Sequence, residues 1–374
     1  MIIAVNTRGL PDDVPGEYNN FIWKTFIRIA ANNPEHTFIF IFDNKYDPHL
    51  TFATNIKPVV TGPVARYPLL WKFWYDVKIP AVIKKYKADV FVSCDNICSL
   101  VTKVPQCLLI LDLEFIHHPS FIKKAHLNFY KKYIAKFLSK AKSIATLSDF
   151  VKQDIITHYK TESAKIDVVF SGASNIFQPI SDEEKAATKD KYTGGLEYFL
   201  YTGQIHPKKN LLNLLKAFSV FKKRQQTNMK MVLAGKLAKN YSLFKEDLKS
   251  YKYRNDVVLT GTVEETELVK ITGAAYGFIY PSLYEGFAVP LLQALHCGVP
   301  VITMPQSSMQ EIAKDAALYA DANSHTAIAD KMMLLYKDEN MRKDLIEKGK
   351  EIASGYSWEK TAQLLWQNIL KAGR

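Results

Sequence analysis

Twice along this chain, short and wholly apolar runs alternate with longer amphipathic ones, and this pattern restricts the fold more than any other feature. MIIAVN, HTFIFIFD, ADVFVS, QCLLILD and KSIATLS have the length and the β-branched or aromatic character of strands. FIWKTFIRIAANN and DFVKQDIITHY carry helical 3-4 spacing, the second with Ser148 or Asp149 as its N-cap. Strands apolar on both faces must be covered on both faces, which calls for a parallel sheet with right-handed helical crossovers. The polar stretch SDEEKAATKDKYTGG interrupts the pattern, and its Gly-Gly break marks a domain boundary near residue 175. The alternation then restarts with EYFLYTG, MKMVLAG, DVVLTG, YGFIYPS and VPVITM as strands. We therefore expect an α/β chain of two doubly wound domains facing across a cleft, residues 1–174 and 175–355. An amphipathic helix of about residues 356–374, with two tryptophans, crosses back onto the first domain.

At 374 residues, each half is long enough to bury a core without disulfide or metal staples. The four cysteines stand among apolar neighbours with no metal-ligand spacing, and read as buried thiols of a reducing compartment. No run of about 18 apolar residues suggests a spanning helix. MIIAVNTRGL reads as a strand, with neither the charged lead nor the cleavage site of a signal peptide. A cytoplasmic location is the expectation.

The net charge of +12 is concentrated. From Arg66 to Lys142 there are 14 Lys/Arg against 5 Asp/Glu, with aromatics interleaved. A solvated helix face accounts for about half the weight of this pattern. The functional alternative is an anionic membrane surface, where each basic residue contributes roughly 1 kcal/mol. Nucleic acid is disfavoured, because no zinc-finger, RNP-like or helix-turn-helix signature accompanies the charge.

In open parallel sheets, ligands gather beyond the carboxyl ends of the strands. Two loops of the second half stand out there. In YTGQIHPKKNLL, Gly203 follows the strand, and Lys208 and Lys209 precede Asn210, expected as the N-cap of the next helix. Two lysines at a helix N-terminus oppose its dipole unless an anion lies beside them; an exposed basic turn is the plain alternative. In PSLYEGFAVPLLQALHCGVPVI, Glu285 stands on a glycine hinge and Pro290 at a first helical position. Gly286 permits close approach of a ligand, and the amides of Gly286, Phe287, Ala288 and Val289 could face a phosphate. Glu285 would then hold hydroxyl donors, as on a sugar, with Gln293 one turn on reaching a second hydroxyl such as a ribose. As a bland alternative, an acid near a helix N-terminus is worth about 0.3–1 kcal/mol.

Nearly end to end, the chain resembles a family 4 (group 1) retaining glycosyltransferase of the GT-B fold, two Rossmann-like domains facing across a cleft. The resemblance is carried by KADVFVSCD, LILDLEFIHHPS, SIATLSDFVKQDII, YFLYTGQIHPKKNLLNLLKAF, YEGFAVPLLQALHCGVPVI and SSMQEIAKDAALY. It implies an N-terminal domain that binds the acceptor and a C-terminal domain that binds a nucleotide-sugar donor. Lys209 would bind the donor diphosphate, with Lys208 at the position of a neighbour that is usually Arg. Glu285 corresponds to the first acid of the family's Glu-x7-Glu motif and would contact the transferred sugar. Gln293 replaces the second, where an amide still serves a ribose. Gly16 in PGEYNN is the one match to the N-terminal glycine loop, and the usual His-Asp reads Leu111-Asp112 here. Asp112 and His117 are the acceptor-side candidates.

The resemblance implies a glycan or lipid-linked saccharide acceptor, no metal and no cofactor beyond the donor substrate. Cell-surface polysaccharide assembly is the expected setting, and the basic, aromatic segment between residues 66 and 142 suggests a lipid-linked or otherwise anionic acceptor at the inner membrane face. The missing histidine at Leu111 and the altered N-terminal glycine loop motivate one rival, a non-catalytic nucleotide-sugar or glycan binder; Gln204 and Gln293 are further departures from the family pattern. A nucleotide-sugar epimerase or a sugar phosphorylase is a further alternative.

Overall fold

The structure is a computed structural model that describes residues 1–10, 17–46, 53–238, 241 and 243–374, with side chains at 17–20 and 243 left undescribed. The chain divides into two compact units, Met1–Gly172 with Trp358–Arg374, and Ala173–Ser357. Each is built around one parallel sheet, as the doubly apolar runs require.

The first unit contains β1 (Ile2–Asn6), β2 (Thr37–Phe42), β3 (Ile56–Val60), β4 (Val90–Ser93), β5 (Gln106–Ile110), β6 (Ser143–Thr146) and β7 (Ile166–Val168). Their order is β3-β2-β1-β4-β5-β6-β7, every pair parallel. The direction of winding reverses between β1 and β4, so the switch point lies at their carboxyl ends. The central strands β4, β5 and β6 are buried at every residue. By contrast β3 is half exposed and contains Pro58, tolerable because the strand lies at the sheet edge. The last helix, Trp358–Gly373, packs against the helix Glu17–Asn32 and strands β4 to β6. Asn368 anchors it from a buried position. Its Oδ1 accepts the Ser143 hydroxyl at 2.9 Å and the Cys107 thiol at 3.0 Å, while Nδ2 donates to Ile144 O and Asp167 Oδ2.

The second unit contains β8 (Tyr198–Thr202), β9 (Lys230–Ala234), β10 (Val257–Gly261), β11 (Gly277–Tyr280), β12 (Val301–Thr303) and β13 (Ala317–Tyr319). Their order is β10-β9-β8-β11-β12-β13, again parallel, with the switch point between β8 and β11. The stretch SDEEKAATKDKYTGG, expected only as a polar break, forms the helix Asp182–Thr193. Its signal was a capping box: the Ser181 hydroxyl accepts from Glu184 N, and Glu184 reaches back to Ser181 N. Gly194 closes the helix in the left-handed conformation.

All four cysteines are free, buried thiols. Among the described residues, no helix is long and apolar enough to cross a membrane.

Candidate functional site

The two loops singled out in the second unit leave neighbouring strands at the switch point. After β8 the chain passes Gly203 and turns through a short 3-10 helix, Pro207–Lys209, into the helix Leu211–Gln225. The turn is set by His206, whose Nδ1 accepts the Lys208 amide at 3.2 Å. Asn210 departs from expectation. It sits at φ 59°, makes no side-chain cap, and its Nδ2 donates to Ala322 O at 2.7 Å. Left-handed backbone turns its side chain away from the amides it was to cap, and Asn tolerates that conformation.

Lys209 points inward. Its Nζ donates to Tyr280 OH at 2.8 Å and to Glu285 Oε1 at 2.5 Å, and lies 5.1 Å from the centre of the Tyr280 ring. Glu285, on the loop after β11, also receives the Ser282 hydroxyl at 2.5 Å and the Tyr280 hydroxyl at 3.2 Å, both on Oε1. The backbone of Glu285 is pinned in turn. Its amide donates to Ser307 Oγ at 3.1 Å, and its carbonyl accepts Ser308 Oγ at 3.0 Å. Ser307 holds φ 55°, an uncommon angle for serine. A further bond, from Leu283 N to Lys208 O at 3.0 Å, ties the two loops together.

Burial pushes the Glu285 carboxyl upward, but the charges of Lys209 and Lys208 and the hydrogen bonds from Lys209 and Ser282 prevail. The group is held below the usual carboxylate range. His206 is displaced downward, first by burial and then by Lys208 and Lys209, and is therefore neutral near pH 7.

Gly203 and Gly235 form a second fixed point. Gly203 follows β8 at φ 128°, and Gly235 follows β9 at φ 151°. A Cβ on Gly235 would lie 1.9 Å from the Gly203 carbonyl oxygen. Only a glycine at 235 lets these strand ends approach so closely, whereas a Cβ on Gly203 would meet the Tyr201 hydroxyl at 3.0 Å.

The remaining donor-side residues occupy the second loop and its helix, Val289–His296. Gly286, Phe287 and Ala288 are buried, and Gln293 is half-buried on the helix. The expected set of four phosphate-facing amides shrinks by one, because Val289 N donates to the Phe287 carbonyl at 3.2 Å. Gly298 lies just past the helix at φ 68°, as its stop signal requires.

In the first unit, Gly16 lies outside the described residues. Asp112 turns locally, its Oδ1 accepting the Glu114 amide at 2.9 Å. His117 is drawn to Asp154, with Nε2 lying 2.7 and 2.9 Å from the two carboxylate oxygens. The switch point of this unit holds residues that spacing did not flag. Arg8, just after β1, donates from NH2 to Asp95 Oδ2 at 2.6 Å and from NH1 to Ala65 O at 2.6 Å. Asp95 also accepts the Ser93 hydroxyl at 3.0 Å and the Tyr75 hydroxyl. Burial and the neighbouring Asp95 raise the Tyr75 phenol well above its ordinary range, so it acts as a neutral donor. The signals were Arg8 and Asp95 standing directly after strands, where the switch-point rule looks for ligand contacts.

Known proteins resemble this chain in sequence and in fold. Residues 182–352 match the family model of the group 1 glycosyl transferases. The O-antigen chain mannosyltransferase B of Escherichia coli is 28% identical over 249 residues, which cover 66% of this chain and 65% of that protein. The serotype-specific mannosyltransferase WbdA of Escherichia coli is 25% identical over 303 residues, 78% of this chain but 34% of its own length. The match thus spans less than two thirds of either relative. Among solved structures, HepE of Anabaena, determined with UDP and glucose, superposes with a TM-score of 0.77 at 12% identity, covering 99% of both chains. The two sheets and their helices have the GT-B fold. The group 1 glycosyl transferase match, residues 182–352, covers just under half of the chain.

Proposed function

We propose that the protein transfers a hexose of mannose type from a nucleotide-sugar donor to a glycan or lipid-linked acceptor in surface-polysaccharide assembly. The observation that carries this reading is the buried Lys209–Glu285 pair, on the two loops that leave the switch point between β8 and β11. The O-antigen mannosyltransferase names of the relatives support the sugar and the setting. HepE, with its bound UDP and glucose, supports a nucleotide and a sugar as ligands of this fold.

In this proposal the donor diphosphate lies against Lys209 and Lys208 and the N-terminus of the helix Leu211–Gln225. These fixed positive groups stabilise the charge that grows on the leaving nucleotide diphosphate. Glu285 holds a hydroxyl of the transferred sugar with Oε2, since Tyr280, Ser282 and Lys209 all address Oε1. Gln293 serves the ribose, and Phe287 and Ala288 support the phosphates with their amides. Transfer proceeds with retention at the anomeric carbon, as the family resemblance implies, and the donor site takes no metal. In the first unit, Arg8, Asp95 and Asp112 near the strand ends serve the acceptor.

We further assign the protein to the inner face of an anionic membrane. Leu69, Phe73 and Val77 follow one another at helical i+4 spacing and are 83%, 39% and 49% exposed. Arg66, Lys72 and Lys78 flank them, with Lys78 Nζ 5.6 Å from the Phe73 ring centre. Apolar side chains ringed by cations suit the boundary between headgroups and acyl chains.

A thermal-shift panel of UDP, GDP, ADP and their hexose conjugates, without metal, tests the donor assignment. A ligand at one hundred times its Kd adds about 2.7 kcal/mol to folded-state stability. One base should give a shift that Lys209→Ala abolishes. Binding without turnover would favour the non-catalytic reading instead.

A further inference from the structure

The first unit brings together His117, Asp154 and His158, which the sequence separates by up to 41 positions; of the three, only His117 entered the transferase reading, as an acceptor-side candidate. Asp154 and His158 stand one turn apart on the helix Asp149–Tyr159, so their side chains share a face. His117 arrives from the short helix Glu114–His117 that follows β5. The Asp154 carboxylate is buried, whereas the imidazoles are 32% and 37% exposed, so the cluster opens to solvent on its histidine side.

We propose that these three residues form a binding site for a divalent zinc-type cation. Both imidazoles present Nε2 to the same carboxylate oxygen, Asp154 Oδ1, at 2.9 Å for His117 and 3.2 Å for His158. Ligands about 2.0–2.1 Å from a tetrahedral zinc ion lie about 3.3 Å from one another. Two edges of the triangle thus already have nearly that length, and all three donor atoms lie within 4.8 Å of one another. The half-exposed imidazoles rotate to close the third edge, while the buried carboxylate stays fixed. The cation would take both imidazoles as neutral ligands through Nε2, any proton carried there in the metal-free cluster moving to Nδ1 or to solvent.

Two imidazoles and one carboxylate suit zinc and its late first-row neighbours, and disfavour magnesium or calcium, which prefer all-oxygen shells. Three protein ligands leave a fourth position to water or to a ligand. The ion would clamp the segment after β5, which carries Asp112, onto the helix Asp149–Tyr159. This is separate from the donor loops, whose chemistry needs no metal.

The test uses the full chain, stripped of metal by chelator and dialysed. Zinc is titrated against a colorimetric zinc indicator, thermal unfolding is recorded with and without the ion, and cobalt is added as a spectroscopic probe. We expect one equivalent of zinc, a raised Tm, and the visible bands of tetrahedral cobalt. His158→Ala and His117→Ala should each weaken binding at least tenfold and lose the cobalt bands. Both positions are partly exposed, so circular dichroism should show both variants folded. Lys209→Ala should bind zinc as the parent does while failing in the nucleotide panel, which separates this site from the donor site. Absence of saturable binding, or unchanged binding in both histidine variants, would show a hydrogen-bonded His–Asp–His cluster only and overturn the proposal.

Discussion

Lys209 Nζ lies 2.5 Å from Glu285 Oε1 although the two residues leave different strands, and their side chains are only 10% and 4% exposed. Removing one partner of such a pair leaves a buried charge uncompensated, at about 3–5 kcal/mol. Lys209→Met should therefore destabilise the second unit by about that amount in urea melts, and Glu285→Gln by less because the amide remains polar. The double variant should recover most of the loss without recovering donor binding. Acid should reveal the same coupling. Because the Glu285 pKa is depressed in the folded state, its contribution is present above the ordinary carboxylate range and is lost as pH falls through the folded value. Glu285→Gln should flatten that limb of the stability profile; an unchanged limb would mean that Glu285 is not charged in the folded protein.

Gly235→Ala should be among the most damaging single-methyl additions in the second unit. The new Cβ would meet the Gly203 carbonyl at 1.9 Å, and its φ of 151° is unsuited to alanine. We predict a loss of about 3 kcal/mol or failure to fold. A variant melting within 2 °C of the parent would rule out the close approach of the two strand ends.

Asn368→Leu preserves approximate volume but removes an acceptor from Ser143 and Cys107 and a donor from Ile144 O and Asp167. The Ser143 hydroxyl retains the Asn368 backbone carbonyl at 2.9 Å, which limits the damage. The expected cost is about 2–3 kcal/mol, read by chemical denaturation, with nucleotide affinity unchanged.

His206 supplies an acceptor to the Lys208 amide, and only a neutral imidazole can do so. Its pKa is lowered by burial and by the two lysines. The unfolded state therefore takes up a proton before the folded state as pH falls. The associated stability is present above the ordinary histidine range and is lost as pH falls through that range toward the folded value. An NMR titration should place the His206 midpoint below the ordinary histidine range; a midpoint within or above that range would contradict the assignment.

The repeated apolar runs made both parallel sheets legible, because strands buried on both faces leave a signal that survives without homologues. β3, β7 and β13 escaped, the first because it is half exposed and interrupted by Pro58, the other two because each has only three residues and little apolar pattern around them. The helix Asp182–Thr193 was hidden by its lack of apolar residues, although its capping box was readable. Lys209 and Glu285 drew notice through their loop chemistry. What spacing alone could not reveal is that they touch each other, and that Tyr280, Ser282, Ser307 and Ser308 hold Glu285 in place. Those contacts depend on which strands become neighbours. The pairing of Arg8 with Asp95, 87 positions apart, was hidden for the same reason.

The most direct test of the transferase assignment is product formation. Purified protein is incubated with the nucleotide-mannose that shifts its melting, together with a lipid-linked saccharide acceptor, and both released nucleotide diphosphate and extended acceptor are quantified. The account predicts equal amounts of the two, an anomeric configuration retained in the product, and loss of at least a hundredfold in rate for Lys209→Ala and Glu285→Gln, about 2.7 kcal/mol or more in the barrier. Nucleotide binding with neither product, or transfer unaffected by both substitutions, would contradict it.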